Sequence, residues 1–311
     1  MSRDDGSSGG TKVSDRLWTL QHKYAPYLFV APFVILFCIF LIYPLGRSIA
    51  LSLYKTSGPN HMKFVGLGNY RFLLSDLLFW RGALNTIVYA ILLLSFQIPG
   101  SLALALLLNR RDLRFRNFFR FAFFAPYLVG SVFVAIIFGL LLAERHGLVN
   151  RMIGFFLPFI GTEINWLGKP TLVLPAIVMA ALWLSLGYGM IYFLAALQSV
   201  DRELYEAAEV DGAGKWKQFV HVTLPGIKPV LVFMVLVGTI GALQLFELPW
   251  VLLQGSGPNQ AGLTIVMYLF QVGFQTGDIG LASAIGWMLV FFILIIALVQ
   301  LWLTRAAAED R

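Results

Sequence analysis

The chain has 311 residues, of which 59% are hydrophobic and 13% charged. Soluble domains carry roughly 45–50% apolar and about 25% charged residues. An ordinary soluble enzyme is therefore excluded, and so is a disordered chain, which requires low hydrophobicity and high charge. The formal net charge is +7 and the single cysteine is Cys38, which removes a disulfide framework and a cysteine-ligated zinc site.

Residues 1–24 are polar and contain Gly6-Ser7-Ser8-Gly9-Gly10, a composition expected of a flexible cytosolic tail. The apolar run 27–53 is too long for a signal-peptide core of about 7–15 residues. It reads as a retained span whose outer end is kinked by Pro44. Further apolar runs occupy 86–108, 121–143, 171–197, 230–253 and 281–303. Each is long enough to cross a bilayer, which takes about 20 helical residues. None alternates apolar and polar residues as a barrel strand does. The expected fold class is therefore an all-α integral membrane protein with six transmembrane helices and both termini on one side.

The distribution of Lys and Arg orients the chain. With the N-terminus inside, the segments 1–26, 109–120, 198–229 and 304–311 carry fifteen basic residues. The outer segments 54–85, 144–170 and 254–280 carry seven, and Arg47 lies within the first run. Both termini are thus assigned to the cytoplasm. The cluster Arg110, Arg111, Arg114, Arg116 and Arg120 abuts two spans and reads as an anchor at the lipid surface, not as a nucleic-acid patch. Tyr70, Phe79, Trp80, Phe155, Phe156, Trp166, Tyr268 and Phe274 in the outer segments are expected at the headgroup level. His22, His61, His146 and His221 are scattered outside the spans and form no metal set.

One inner loop, 199–225, stands apart. Asp201 can cap a short helix on which Leu204, Ala207 and Ala208 share a face. Gly212 can end that helix with a positive φ. Trp216, Phe219 and Val220 share a face of a second short helix, which Pro225 is expected to stop. Pro229 suits the first turn of the next span. The first helix is acidic (Glu203, Glu206, Glu209, Asp211). A helix resting on an anionic leaflet has a basic polar face, so an acidic one with small residues at its seam reads better as a docking element for a cytosolic partner.

The loop also carries a recognisable pattern. Glu206-Ala207-Ala208, then Gly212, then Val222 and Leu224-Pro225 resembles the EAA loop of ABC-importer permeases, with valine where the family commonly has isoleucine. Tyr205 to Ala213, Thr223-Leu224-Pro225, Phe64-Val-Gly-Leu-Gly-Asn-Tyr-Arg71 and the turn at Gly255-Ser-Gly-Pro258 resemble the carbohydrate-uptake branch, specifically the first permease subunit of the maltose or glycerol-phosphate type. The resemblance implies a type I importer permease domain over 25–311, with its core at about 80–305 and a coupling loop at 199–225. It implies that Glu206, Ala207, Ala208, Asp211, Gly212, Leu224 and Pro225 engage a cytosolic ATPase. ATP and Mg would reside on that partner, since this chain has no Gly-x-x-x-x-Gly-Lys-Ser/Thr loop. The implied partners are a second, homologous permease, two ATPase subunits, an extracytoplasmic sugar-binding protein and membrane lipid. The implied location is a prokaryotic cell membrane.

Ionisable residues inside spans point to function. Arg47 reaches the outer interface by snorkelling. Glu247 lies in Gln244-Leu-Phe-Glu-Leu-Pro-Trp250, where Pro249 frees a backbone carbonyl. A broken polar stretch at membrane depth is tolerated where it lines a cavity. By the resemblance Tyr188 falls on a sugar-contacting position, and Ser185 and the stretch Gln244–Glu247, with Phe246, fall near such positions; Trp183, to one side on the fourth span, and Trp250 complete the candidate substrate contacts. The cargo expected is a neutral di- or oligosaccharide. Glycerol phosphate in the same fold, a stand-alone secondary transporter and a membrane scaffold are the alternatives.

Overall fold

The computed structural model describes residues 10–56, 58, 61–110, 112–156 and 163–309. Gly6 to Gly9 of the tail and Arg111 lie outside the described residues. Helix α1 (Gly10–Phe37) begins inside the segment expected to be a flexible tail. The helix extends back through Pro26 into the tail, since propagation of a nucleated helix is easier than its start. A π-helical turn at Cys38–Ile42 leads into α2 (Tyr43–Ser52). Residues 23–52 thus form one 30-residue apolar helix, and Pro44 sits in the first turn of α2 instead of breaking it. The wider π turn moves aside the backbone that the proline ring would strike.

Outside the first span, β1 (Tyr54–Thr56) and β2 (Met62–Phe64) pair antiparallel, with Lys55 opposite Lys63. Helix α3 (Gly68–Ser75) then leads to α4 (Leu77–Leu108), which begins well before residue 86. The Asn69 amide, buried, donates to Ser52 O (2.8 Å) and Tyr54 O (2.9 Å), and the Tyr70 hydroxyl donates to Ser52 Oγ (2.8 Å). The Phe64–Arg71 motif is therefore a clamp on the outer end of the first span.

The third run is not a straight helix. Helix α5 (Arg116–Phe124) and a 3-10 turn (Ala125–Leu128) meet α6 (Ser131–Leu141) at 101°. Pro126 donates no N–H, and Val129 and Gly130 are extended, so the helix cannot be continuous there. Helix α7 (Leu148–Phe156) follows. Asn150, 1% exposed, gathers the outer segment by donating to Glu144 O and Ile164 O while accepting from Trp166 Nε1 (2.7 Å).

Helix α8 (Pro170–Ser199) is continuous and packs along α4. The inner loop holds α9 (Arg202–Val210), α10 (Lys215–Gln218), a π turn (Phe219–Thr223) and α11 (Leu224–Gly226). Pro225 does not stop this helix: as at Pro44, a π turn ending two residues earlier admits the proline, and the break falls at Ile227. The fifth run is bent by 66° against α10–α11 and is itself split into α12 (Lys228–Leu243) and α13 (Glu247–Leu253). A short apolar helix, α14 (Ile265–Phe270), extends through a π turn at Gln271–Gln275. Helix α15 (Ile279–Glu309) closes the chain against α2. Among the described residues four helices are long and apolar enough to cross, or six with each bent pair counted as one span.

The outer aromatic residues divide. Trp80, Phe155, Phe156 and Phe274 are exposed, but Phe79 (0% exposed) and Tyr268 (7%) are core. Phe79 stacks on Phe292, and the Tyr268 hydroxyl bonds to Asp76 Oδ2. These two rings stabilise helix packing and are not interfacial anchors. Asp278 Oδ1 accepts from Thr56 N (3.1 Å), Thr56 Oγ1 (3.1 Å) and Leu281 N (3.0 Å), which fixes the β-hairpin to the start of α15.

Candidate functional site

A cavity of about 470 Å³ opens between α4, α8 and α12. Helix α4 contributes Tyr89, Leu93 and Gln97, and α8 contributes Ala181, Leu184, Ser185 and Tyr188. The opposite wall is α12 and the break after it, with Met234, Gly238, Gly241, Gln244, Phe246 and Glu247. Small residues let the walls approach: an added Cβ at Gly187 would lie 1.8 Å from the Phe123 carbonyl oxygen, and one at Gly189 2.5 Å from Ser101 Oγ. Membrane helices rely on such residues for close packing.

The break at Gln244–Phe246 is held open by hydrogen bonds. Thr264 Oγ1 donates to Leu245 O (2.8 Å) and accepts from Met267 N (3.1 Å), so one side chain satisfies the unwound carbonyl and caps α14. Helix α4 anchors the same segment: Asn85 Nδ2 donates to Gln260 O and Leu263 O (3.0 Å each), and Thr86 Oγ1 accepts from Ile265 N (3.1 Å). Irregular backbone at membrane depth requires internal partners of this kind.

Glu247 is the first residue of α13, where the helix dipole favours a carboxylate. Ser131, the first residue of α6, donates its hydroxyl to Glu247 Oε2. Two helix starts thus converge on one carboxylate. Gln97 is 6% exposed, lines the cavity and makes no hydrogen bond among the described residues, so its amide is available to a polar ligand. Tyr188 stacks on Tyr127 (4.6 Å between centroids) and leans on Tyr192 (4.8 Å).

Of the residues singled out from the sequence, Tyr188, Ser185, Gln244, Phe246 and Glu247 share this cavity. Trp183 turns away and packs on Phe138 (5.9 Å), and Trp250 packs against Phe246 (5.9 Å) and Phe270 (5.1 Å), outside the lining. Tyr89, Gln97 and Ser131 were not singled out. A polar Gln97 inside an otherwise apolar run was the available signal for one of them.

The inner loop is the second candidate element. Asp201 Oδ1 accepts from Glu203 N (3.0 Å), capping α9. At the other end Gly212 N donates to Glu209 O (3.0 Å) and Ala213 N to Ala208 O (2.8 Å), with Gly212 at φ +75°. These bonds make a Schellman stop, which requires a left-handed residue. Tyr205 OH and Thr223 Oγ1 (2.9 Å) link the two halves of the loop. Leu204 (55% exposed), Val210 (89%) and Trp216 (75%) stand out beside the acidic residues. Glu206 pairs with Arg202 (2.9 Å), with both side chains mostly exposed. An exposed pair of this spacing contributes about 0.3–0.5 kcal/mol, weak enough for either partner to be exchanged.

Residues 97–309 match the family described as "Binding-protein-dependent transport system inner membrane component". The arabinooligosaccharides transport system permease protein AraP of Bacillus subtilis (strain 168) is 39% identical over 91% of this chain and 89% of its own length. The lactose transport system permease protein LacF of Rhizobium radiobacter is 34% identical, with 90% and 93% covered. A chain of the bacterial alginate ABC transporter, solved in complex with an alginate pentasaccharide-bound periplasmic protein, superposes with a TM-score of 0.80 at 25% identity, covering 94% of this chain and 98% of that one. The chain belongs to the binding-protein-dependent transport system inner membrane component family: it is a multi-pass permease subunit of an ABC importer, and it is not itself a catalyst.

Proposed function

We propose that the importer carries a neutral di- or oligosaccharide through the cavity at Tyr188, Ser185, Gln97, Gln244 and Glu247. The cavity's chemistry supports this. A tyrosine ring covers an apolar sugar face, while amides, a hydroxyl and a carboxylate take sugar hydroxyls. Glu247 is the charged group of the lining, and it disfavours a phosphate- or carboxylate-bearing cargo. AraP and LacF are named for neutral sugars. Gln244 and Glu247 face the open side of the cavity, where a second, homologous permease would complete it.

The observation that carries the coupling mechanism is the inner loop, capped at both ends of α9 and cross-tied by Tyr205 and Thr223, with an acidic and apolar surface facing outward. In this reading two cytosolic ATPase subunits, holding ATP and Mg, receive Glu206, Ala207 and Ala208 in a groove. Asp211 and Gly212 set the turn, and Leu224 and Pro225 join the loop to α12. Closure of the ATPases then moves the helices as a rigid body between two packed states. An extracytoplasmic sugar-binding protein delivers the cargo to the outer face.

Purification of the chain from its native membrane in mild detergent, followed by mass spectrometry, tests the assembly. An ATPase, a second six-span permease and a secreted binding protein are expected, and that binding protein then identifies the sugar. Recovery of the chain alone, while another membrane complex in the same preparation stays intact, would refute it.

A further inference from the structure

A second cavity, of about 460 Å³, opens on the cytosolic side where α4 and α8 end and α5 and α9 begin. Asn109, Arg116, Arg120, Gln198, Arg202 and Tyr205 supply its polar lining. The basic cluster read from the sequence as a diffuse lipid anchor is therefore divided. Arg110 pairs with Asp112 (3.2 Å) in the open, whereas Arg116 and Arg120, one turn apart on α5, line the cavity together with Arg202 from the inner loop.

Three guanidiniums around one cavity repel each other unless something negative lies between them. The ends of α4 and α8 bring partial negative charge: Arg120 Nη2 donates to Leu108 O (3.0 Å) at the last turn of α4. That is half a charge per helix end at most. The carboxylate paired with the set is Glu206, through Arg202. Arg120 Nε remains buried with no hydrogen-bond partner among the described residues, and a buried charged donor without an acceptor is costly. Arg116 is also the first residue of α5, whose first turn has no acidic residue. A cation there opposes the helix dipole.

We propose that this cavity binds a phosphate-bearing anion at the inner membrane surface. A phosphate has several acceptor oxygens and suits the planar fork of arginine. Basic pockets between spans on the cytoplasmic side are suited to anionic headgroups. The same chemistry serves a lipid phosphodiester and a free phosphate from the cytosol. An anion held by Arg202 competes with Glu206 for that guanidinium, so occupancy of the cavity and the state of the coupling loop are linked within this chain.

The test uses the full-length chain in an uncharged detergent, titrated separately with phosphatidylglycerol and with inorganic phosphate, with bound ligand counted by native mass spectrometry. One saturable site is expected. Arg116→Gln and Arg202→Gln each weaken it by about tenfold, the loss of one charge-assisted contact. Arg110→Gln leaves it unchanged, and Glu206→Gln tightens it by freeing Arg202. Arg116 and Arg110 are at the surface, so these variants keep the measurement interpretable if Arg120→Gln, which also removes the bond to Leu108 O, fails to fold. Binding of phosphatidylglycerol alone identifies a lipid ligand, and binding of phosphate with the same arginine dependence identifies a soluble one. Absence of saturable binding of either, or equal loss in Arg110→Gln and Arg116→Gln, overturns the proposal.

Discussion

Gly187→Ala tests whether the close approach of α5 to α8 shapes the cavity. The added Cβ would lie 1.8 Å from the Phe123 carbonyl oxygen, 2.4 Å from its carbonyl carbon and 2.8 Å from Phe124 Cα. These are backbone atoms, so no side chain can rotate out of the way. Ordinary contact begins at 3.4 Å, so α5 has to withdraw by about 1.6 Å, a displacement the packed interior resists. Overpacking of this kind costs about 1–3 kcal/mol. It also pulls Tyr127, just beyond α5, from its 4.6 Å stack on Tyr188. The comparison is Gly241→Ala on α12, where an added Cβ meets nothing within 4 Å. Gly241 lies in the last turn of α12, where the change gains at most about 0.5–1 kcal/mol from lost glycine backbone freedom. Thermal unfolding of the purified chain, followed by size-exclusion recovery, should rank Gly241→Ala at or above the parent and Gly187→Ala clearly below it. Equal midpoints for the two variants would refute the packing argument.

Four other outcomes are expected. Ser131→Ala and Glu247→Gln should each reduce uptake, but the double variant should be little worse than the more damaging single one; strict additivity would show that the two act separately. Glu247→Ala should lower sugar-stimulated ATPase activity of the assembled importer more than basal activity, and an equal fall in both would make the residue structural. Gly212→Asn, which tolerates a left-handed backbone, should retain uptake that Gly212→Pro abolishes while membrane insertion is normal; normal uptake in the proline variant would remove the Schellman stop from the mechanism. Asp278→Ala leaves three donors from Thr56 and Leu281 without their acceptor and should cost about 1–3 kcal/mol, read as faster proteolysis at 54–64; an unchanged cleavage rate would show that Asp278 does not hold the hairpin.

The chain itself determined the spans, the orientation and the inner loop, because each depends on local chemistry. A bilayer demands about 20 apolar residues and biases Lys and Arg to one side, and both signals are additive along the sequence. The caps at Asp201 and Gly212 are equally local. Neighbouring residues supply both the donor and the acceptor of each bond. What the tertiary structure alone decided is which faces turn inward. A helix apolar on all sides gives no periodicity to read, so Tyr89 and Ser131 are indistinguishable in sequence from residues that face lipid. The unwound Gln244–Phe246 stretch depends on distant partners. Thr264 holds the open carbonyl of Leu245, and Asn85 and Thr86 hold the segment that carries Thr264. The same distance explains the arginines. Arg116 and Arg120 share a run with Arg110, but only the folded chain places Arg202 across from them and turns a topology signal into a cavity.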